Sequence, residues 1–266
     1  MHIIVCIKQT PLTDKVDFDS SGNLIRDNIE SGINPFDEYA LEEALKIKDS
    51  NQDTTISALT MGPPSAAEVL RYAASKGCDN GYLISDINLK GSDTLATSYV
   101  LAKAIEKINS IEKSALIVCG MGSNDSDTGH VASQIAVHLN FPNISLASKI
   151  LQLNENSITL EKSEFQNIDK LEMQLPAVAS FEKNINSPRL VSIKGRLKSR
   201  SFKPIIWNIK DLNCDPKKIG ADGSPTFVGE SFTPPKKSRT SSIIEGVNIE
   251  EKCDNTAKVL KELKFI

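Results

Sequence analysis

The stretch from Leu116 to Pro142, LIVCGMGSNDSDTGHVASQIAVHLNFP, restricts the possible folds of this chain more than any other. Leu116 to Cys119 is a continuous apolar run, the mark of a strand covered on both faces, and such strands belong to parallel sheets flanked by helices. Gly120 to Asp127 is a loop of small and polar residues. Beyond it Val131, Ile135 and Leu139 recur every fourth residue beside a polar face of His130, Gln134 and His138, which is a helix. A strand that opens through glycine onto a helix N-terminus presents unpaired backbone N–H groups and the positive end of a helix dipole, the arrangement that holds phosphate. Gly120-Met121-Gly122 begins like a dinucleotide fingerprint, but Asp125 stands where the third glycine belongs. An ordinary strand-to-helix turn fits the same residues.

The remainder repeats that grammar. Ile3 to Ile7 is a second doubly buried strand, and Lys8 follows it at the carboxyl end, where open α/β sheets bind ligands. Val16 to Ile25 alternates around Ser20-Ser21-Gly22-Asn23 as a small hairpin does. Asn34 is placed to cap a helix with Pro35 at its first position, running to about Asp49 with Leu41, Ala44, Leu45 and Lys48 inward and Glu42 paired with Lys46. A strand over Thr54 to Thr60, a helix over Ser65 to Lys76 stopped by Gly77, a strand over Gly81 to Ile84 and a helix from Asp93 to about Ile108 capped by Ser92 complete a βα alternation that predicts a doubly wound, mostly parallel α/β sheet. A further strand follows near Ile144 to Leu146.

After Ser148 short alternating segments (Lys149 to Leu153, Ser157 to Lys162, Leu171 to Leu175) predict a β-hairpin, and Pro176 to Phe181 one more sheet strand. From Asn186 the chain reads as a basic loop carrying Arg189, Lys194, Arg196, Lys198, Arg200 and Lys203, with Leu190, Ile193 and Leu197 interleaved. Beyond Trp207, Asp215-Pro216, Gly220, Asp222-Gly223-Ser224-Pro225 and Pro234-Pro235 make an extended arm, and Ile249 to Leu263 regains helical spacing. An arm that buries little of itself is expected to wrap another subunit.

Composition narrows the function. A net charge of −3 with interspersed signs argues against nucleic acid. No apolar run approaches the roughly 20 residues of a membrane span, and MHIIVCIK reads as a first strand, not a signal peptide. The five cysteines are scattered without C-x-x-C spacing, so Cys6 and Cys119 read as small buried hydrophobes in a reducing, cytoplasmic setting. Three histidines, no G-x-S-x-G and no ligand cluster leave no catalytic constellation. A generic nucleotide-binding α/β module fits the first 150 residues, but leaves the basic loop and the arm without a role.

IVCIKQTP, GINPFDEYALEEALKIKD, SALTMGPPSAAEVLRYAASKGCDNGYLISD, GSDTLATSYVLAKAI, LPAVASFEKNINSPR and GADGSPTFVGESFTPP occur in the order and at the intervals of one family. Over essentially its whole length the chain resembles the β (small) subunit of electron-transfer flavoproteins.

The resemblance implies a Rossmann-like, adenine-nucleotide alpha-hydrolase-like domain over residues 1–206. It also implies an arm over 207–266 that packs on an α subunit, whose mobile domain holds the electron-transferring FAD. The β subunit of this family holds a second adenine nucleotide: AMP in simple carriers, a second FAD in electron-bifurcating ones, where NADH is the hydride donor and ferredoxin or flavodoxin and a flavin-dependent dehydrogenase exchange the electrons. The segments WNIKD, GSPT and GSDTLATS look more like the bifurcating versions, so FAD is expected ahead of AMP.

The family's loop, roughly G-[KR]-Q-A-x-D-x-D-T-x-Q-x-G, is matched by Gly120, Asp125, Asp127 and Thr128. It is not matched at Met121, Gly122 and His130. The resemblance places Thr128, Gly129, His130 and Val131 as phosphate-binding N–H donors, Asp127 as the helix cap and Asp125 as a loop brace. It also places Cys6, Lys8, Asn34, Met61 and Gly62 along the adenosine cleft. The segment that anchors the dehydrogenase falls near Ser192 to Lys198, with Ile193 as anchor, Leu197 second, and Arg196 and Lys198 as the charged rim.

Overall fold

The computed structural model describes residues 1–12, 17–18, 24–25, 30–165, 167–227, 229 and 241–265. They fall into two units, Met1–Glu230 and Ser231–Ile266. The first carries, in chain order, β1 (His2–Cys6), β2 (Gln9–Pro11), β3 (Asp17–Phe18), β4 (Leu24–Ile25), β5 (Ser31–Ile33), α1 (Pro35–Ser50), β6 (Thr55–Met61), α2 (Ala67–Lys76), β7 (Asn80–Ile84), α3 (Thr94–Ile111), β8 (Leu116–Gly120) and α4 (Val131–Leu139). The long strands β9 (Asn143–Leu153), β10 (Ser157–Glu164) and β11 (Asn167–Gln174) follow, then β12 (Ala177–Phe181), α5 (Ile193–Arg200) and β13 (Ile205–Trp207). The second unit contains α6 (Ile249–Glu262), capped by Asn248, whose side chain accepts the Glu251 N–H at 2.9 Å.

Nine strands form one sheet in the order β11-β10-β9-β12-β8-β1-β6-β7-β13. The pairs from β9–β12 through β7–β13 are parallel, and β9–β10–β11 is an antiparallel meander. This is the doubly wound α/β sheet that the apolar runs predict. Alternate residues of β1 serve different cores: Ile3 and Val5 pack with α1 and α2, while Ile4 and Cys6 pack with α3 and α4. The chain steps from β1 outward to β6 and β7, then crosses back through α3 to β8 on the other side of β1. The strand order therefore reverses between β1 and β8, and a crevice opens outside their carboxyl ends.

Several local expectations are corrected. The segment read as a basic loop contains a helix, α5, which lies against α2 with Ser192 as its cap. Its Gly195 faces Ser75 O so closely that a Cβ there would sit 1.9 Å away, so the two helices meet backbone to backbone. Arg189 is not a free docking charge either: its guanidinium bonds Glu42, at 2.9 and 3.1 Å from Nε, and Asp49 at 2.6 Å. Glu42 consequently does not pair with Lys46, which bonds Glu43. Asp93, not Ser92, caps α3, accepting the Leu95 and Ala96 N–H groups.

The first unit also continues past 206. Trp207 ends a strand paired with β7, and Ser224 Oγ and Thr226 bond Asp93, so residues 207–226 fold back on their own chain instead of leaving it. Of the small hairpin expected over 16–25, β3 and β4 pair antiparallel, while Val16 and the turn at 20–23 lie outside the described residues. Pro234-Pro235 lies outside them too.

Candidate nucleotide site

The crevice is built by the turn at the start of α1. Asn34 occupies the cap position of that helix, yet its side chain makes no cap bond. Instead its backbone N–H donates to Lys8 O at 2.8 Å, its Nδ2 donates to Gly122 O at 2.8 Å, and its Oδ1 accepts the Asn124 N–H at 3.2 Å. One buried amide thus straps the loop after β8 to the end of β1, a role that capping propensity alone does not reveal. Three residues on, Asp37 is buried and its Oδ2 accepts the Lys8 N–H at 2.7 Å. It also receives hydrogen bonds from the Gly120 N–H and the Asn34 side chain. Burial pushes its carboxyl up to about 7, against the pull of these donors. Gly120 is required here, because a Cβ would lie 2.6 Å from Asp37 Oδ1 and 2.7 Å from the Phe36 carbonyl carbon.

Lys8 runs from the end of β1 across the loop. Its ammonium bonds Asp125 Oδ1 at 2.6 Å and Ser123 Oγ at 3.2 Å. Burial alone would raise the Asp125 carboxyl, but Lys8 and the hydroxyls of Ser123 and Ser126 hold it below its ordinary value. The loop that lacks a basic residue at Met121 therefore has a cation supplied from β1.

The helix start differs from expectation at Asp127. His130, not Asp127, holds the cap position of α4, and no side chain caps the helix. Asp127 takes φ 49° and donates its N–H to Ser123 O at 2.7 Å, closing a turn. Gly129 has φ 67°, a left-handed conformation that favours glycine. Thr128, Gly129 and His130 are exposed and Val131 half-buried, so the first amides of α4 stand open to solvent at the positive end of the helix.

On the crevice floor Cys6 and Cys119 continue the β1–β8 register as neighbours. The hydrogen bond with Cys6, together with burial, pushes the Cys119 thiol well above its usual value. Met61 ends β6 beside them, and the Gly62 N–H bonds Ile84 O at 3.0 Å. Cys6, Lys8, Asn34, Gly120 and Asp125 are thus brought together at the switch point, with the open start of α4 beyond. Two other concavities lie elsewhere: about 540 Å³ between Tyr99, Lys103, His138 and Lys218, and about 1220 Å³ between the end of α1 and the β9–β10 turn.

Ile193 and Leu197 lie on α5, four residues apart, 84% and 58% exposed. Arg196 and Lys198 are exposed beside them. Sequence reasoning missed Asp37 and Glu42, because buried carboxylates on α1 look like a solvated helix face. The signal for Asp37 was its phase, one turn ahead of Leu41 and two ahead of Ala44; Glu42 lies at the edge of that face beside Leu45. Among the described residues no helix is long and apolar enough to cross a membrane, and no three His, Cys, Asp or Glu side chains cluster as metal ligands.

The electron transfer flavoprotein domain model matches residues 21–212. The chain is 37% identical to the caffeyl-CoA reductase-Etf complex subunit CarD of Acetobacterium woodii over 100% of both chains. It is 39% identical to the electron transfer flavoprotein subunit beta of Megasphaera elsdenii over 90% of this chain and 89% of that one. Protein FixA of Sinorhizobium fredii is 34% identical over 93% of this chain and 88% of its own. With a family model over residues 21–212 and such relatives covering at least 90% of its length, the chain belongs to the electron transfer flavoprotein family, as a β (small) subunit.

Proposed function

We propose that this chain pairs with an α subunit and relays electrons to or from a flavin-dependent dehydrogenase, holding an adenine nucleotide in the crevice between β1 and β8. The observation that carries the reading is the strapped loop: Asn34 fixes Gly122 and Asn124, and Lys8 fixes Ser123 and Asp125, ahead of the uncapped start of α4. A phosphate fits such a place, because one loop carries exposed residues at an uncapped helix start, a left-handed glycine and a half-exposed ammonium. The amides of Thr128 to Val131 and the Thr128 hydroxyl hold the phosphates, and Cys6, Asn34, Met61 and Gly62 line the adenosine.

The nucleotide is a second FAD in preference to AMP, which makes the complex an electron-bifurcating one. Support comes from the segments WNIKD, GSPT and GSDTLATS, and from full-length likeness to a subunit of a reductase-Etf complex. A second FAD supplies hydride exchange with NADH and onward one-electron transfer to ferredoxin or flavodoxin. The chain's own residues bind it, orient it and keep its phosphates paired. The exposed face of α5, with Ile193 and Leu197 ringed by Arg196 and Lys198, docks the dehydrogenase. The second unit, with α6, contributes to the α-subunit contact. Extraction of the αβ complex is expected to release close to two flavins per heterodimer; one flavin with one AMP would refute the bifurcating reading and leave a simple carrier.

A further inference from the structure

Two of the five cysteines stand side by side on the crevice floor, and nucleotide binding gives the pair no task. β1 and β8 pair in parallel through Ile3–Leu116, Ile4–Ile117 and Val5–Val118, and the pairing stops there. The next rung sets Cys6 opposite Cys119, the first level at which the two strands part to make the crevice. Each stays paired on its other side at this level, Cys6 with Leu59 of β6 and Cys119 with Ser180 of β12. Both side chains pack toward α3 and α4, so the two sulfurs share one face of the sheet, in hydrogen-bond contact. Each cysteine keeps 7% exposure, whereas Cys78 is fully covered. Neighbouring strands lie about 4.8 Å apart, and disulfides join Cα atoms about 4.4–6.8 Å apart. This rung can therefore be bridged without a large backbone shift.

We propose that Cys6 and Cys119 form a redox site: two-electron oxidation by a peroxide joins them in a disulfide across the crevice floor, and this bond and a bound nucleotide exclude each other. The inference rests on the nucleotide reading above. The Cys6 sulfur attacks one peroxide oxygen; an S–O bond forms as the O–O bond breaks, and the Cys6 proton leaves with the departing oxygen as water. The Cys119 sulfur then attacks the Cys6 sulfur. The S–S bond forms, the S–O bond breaks, and a second water carries off the Cys119 proton. Two thiols thereby lose two electrons and two protons, and one peroxide becomes two waters. Cys119 is the second to react, because burial and its neighbour hold its thiol protonated. Cys119 lies one residue before Gly120, and Cys6 two before Lys8, so joining the sulfurs ties the strand ends from which both crevice walls start. A nucleotide that needs those walls apart disfavours the bond, and by reciprocity the bond weakens nucleotide binding by the same factor.

The test treats the full chain, freed of nucleotide, with hydrogen peroxide, alkylates the remaining thiols and maps disulfides by mass spectrometry of the digest. A Cys6–Cys119 link is expected, slowed about tenfold or more by saturating FAD or AMP. FAD affinity of the linked chain is expected to fall by a like factor and to return with dithiothreitol. In Cys119→Ser, peroxide is expected to leave FAD affinity where it was. The exposed Cys253 reports that the oxidant has acted, and its oxidation without a Cys6–Cys119 link overturns the inference. A link that forms as fast with FAD bound, or that leaves FAD affinity unchanged, overturns it too, and the nucleotide reading stands. No saturable binding of FAD or of AMP to the reduced chain overturns both. Should Cys119→Ser not fold, wild type decides: recovery of FAD affinity on reduction supports the site, and a loss that reduction does not reverse overturns it.

Discussion

Gly120 and Asp37 show how few atoms set the crevice. Gly120→Ala places a methyl against the Phe36 carbonyl and the Asp37 carboxylate, where backbone cannot yield cheaply. We expect a loss of at least about 1–3 kcal/mol in chemical denaturation, with weakened nucleotide retention. Asp37 also gives stability a pH dependence of unusual sign. Its folded value, about 7, lies above the ordinary carboxyl value of 3.8, so its contribution is complete below about pH 4 and is lost as pH rises toward about 7. The melting temperature of Asp37→Asn is expected to gain on wild type across that window; parallel melting curves would show that Asp37 ionises freely. At this scale the sequence is a partial guide. Gly120 and Lys8 stand out in the sequence because glycine and strand ends are local signals, whereas Asn34 reads on its own only as a helix cap. That Asn34 straps the loop is not legible, because its partners Gly122 and Asn124 lie about ninety residues away.

Among the elements, the strands were easy to place because doubly buried strands are written as unbroken apolar runs. Helix α5 was not, for a physical reason: IKGRLKSR has no apolar stripe and buries no residue fully. What holds it is the Ser192 cap and the approach that Gly195 allows to Ser75 O, neither of which leaves a periodic pattern. Packing through its small residue turns its large ones outward, and this gives the docking proposal a sharp contrast. Ile193→Ala is expected to change stability by no more than about 0.5 kcal/mol, as for other exposed positions, and to leave flavin content intact. Reduction of the partner dehydrogenase is expected to slow. Unchanged electron delivery in a steady-state assay would move the anchor elsewhere. The segment over 207–226 leaves no periodic signal for a related reason, since backbone groups of its irregular chain are satisfied by Ser92 and Asp93, at the approach to α3.

For the whole molecule, the doubly wound order was legible from alternation, whereas the place of β12 was not. It enters between β8 and β9, although β9 through β11 precede it in the chain. When Asn143 leaves the ribosome its strand has no neighbour to join, and Ala177 follows thirty-four residues later (177 − 143). At about 5–20 residues per second the nascent sheet carries two bare inner edges for roughly two to seven seconds. One of those edges belongs to β8, an apolar strand that another chain can pair with. A chain ended at Pro176 is expected to be recovered mainly in the insoluble fraction, and one ended at residue 230 in the soluble fraction, as read by sedimentation after expression. Equal solubility of the two would show that the gap closes without β12. The strand that joins the two halves of the sheet is thus also the step of synthesis at which the nascent chain stops exposing inner edges.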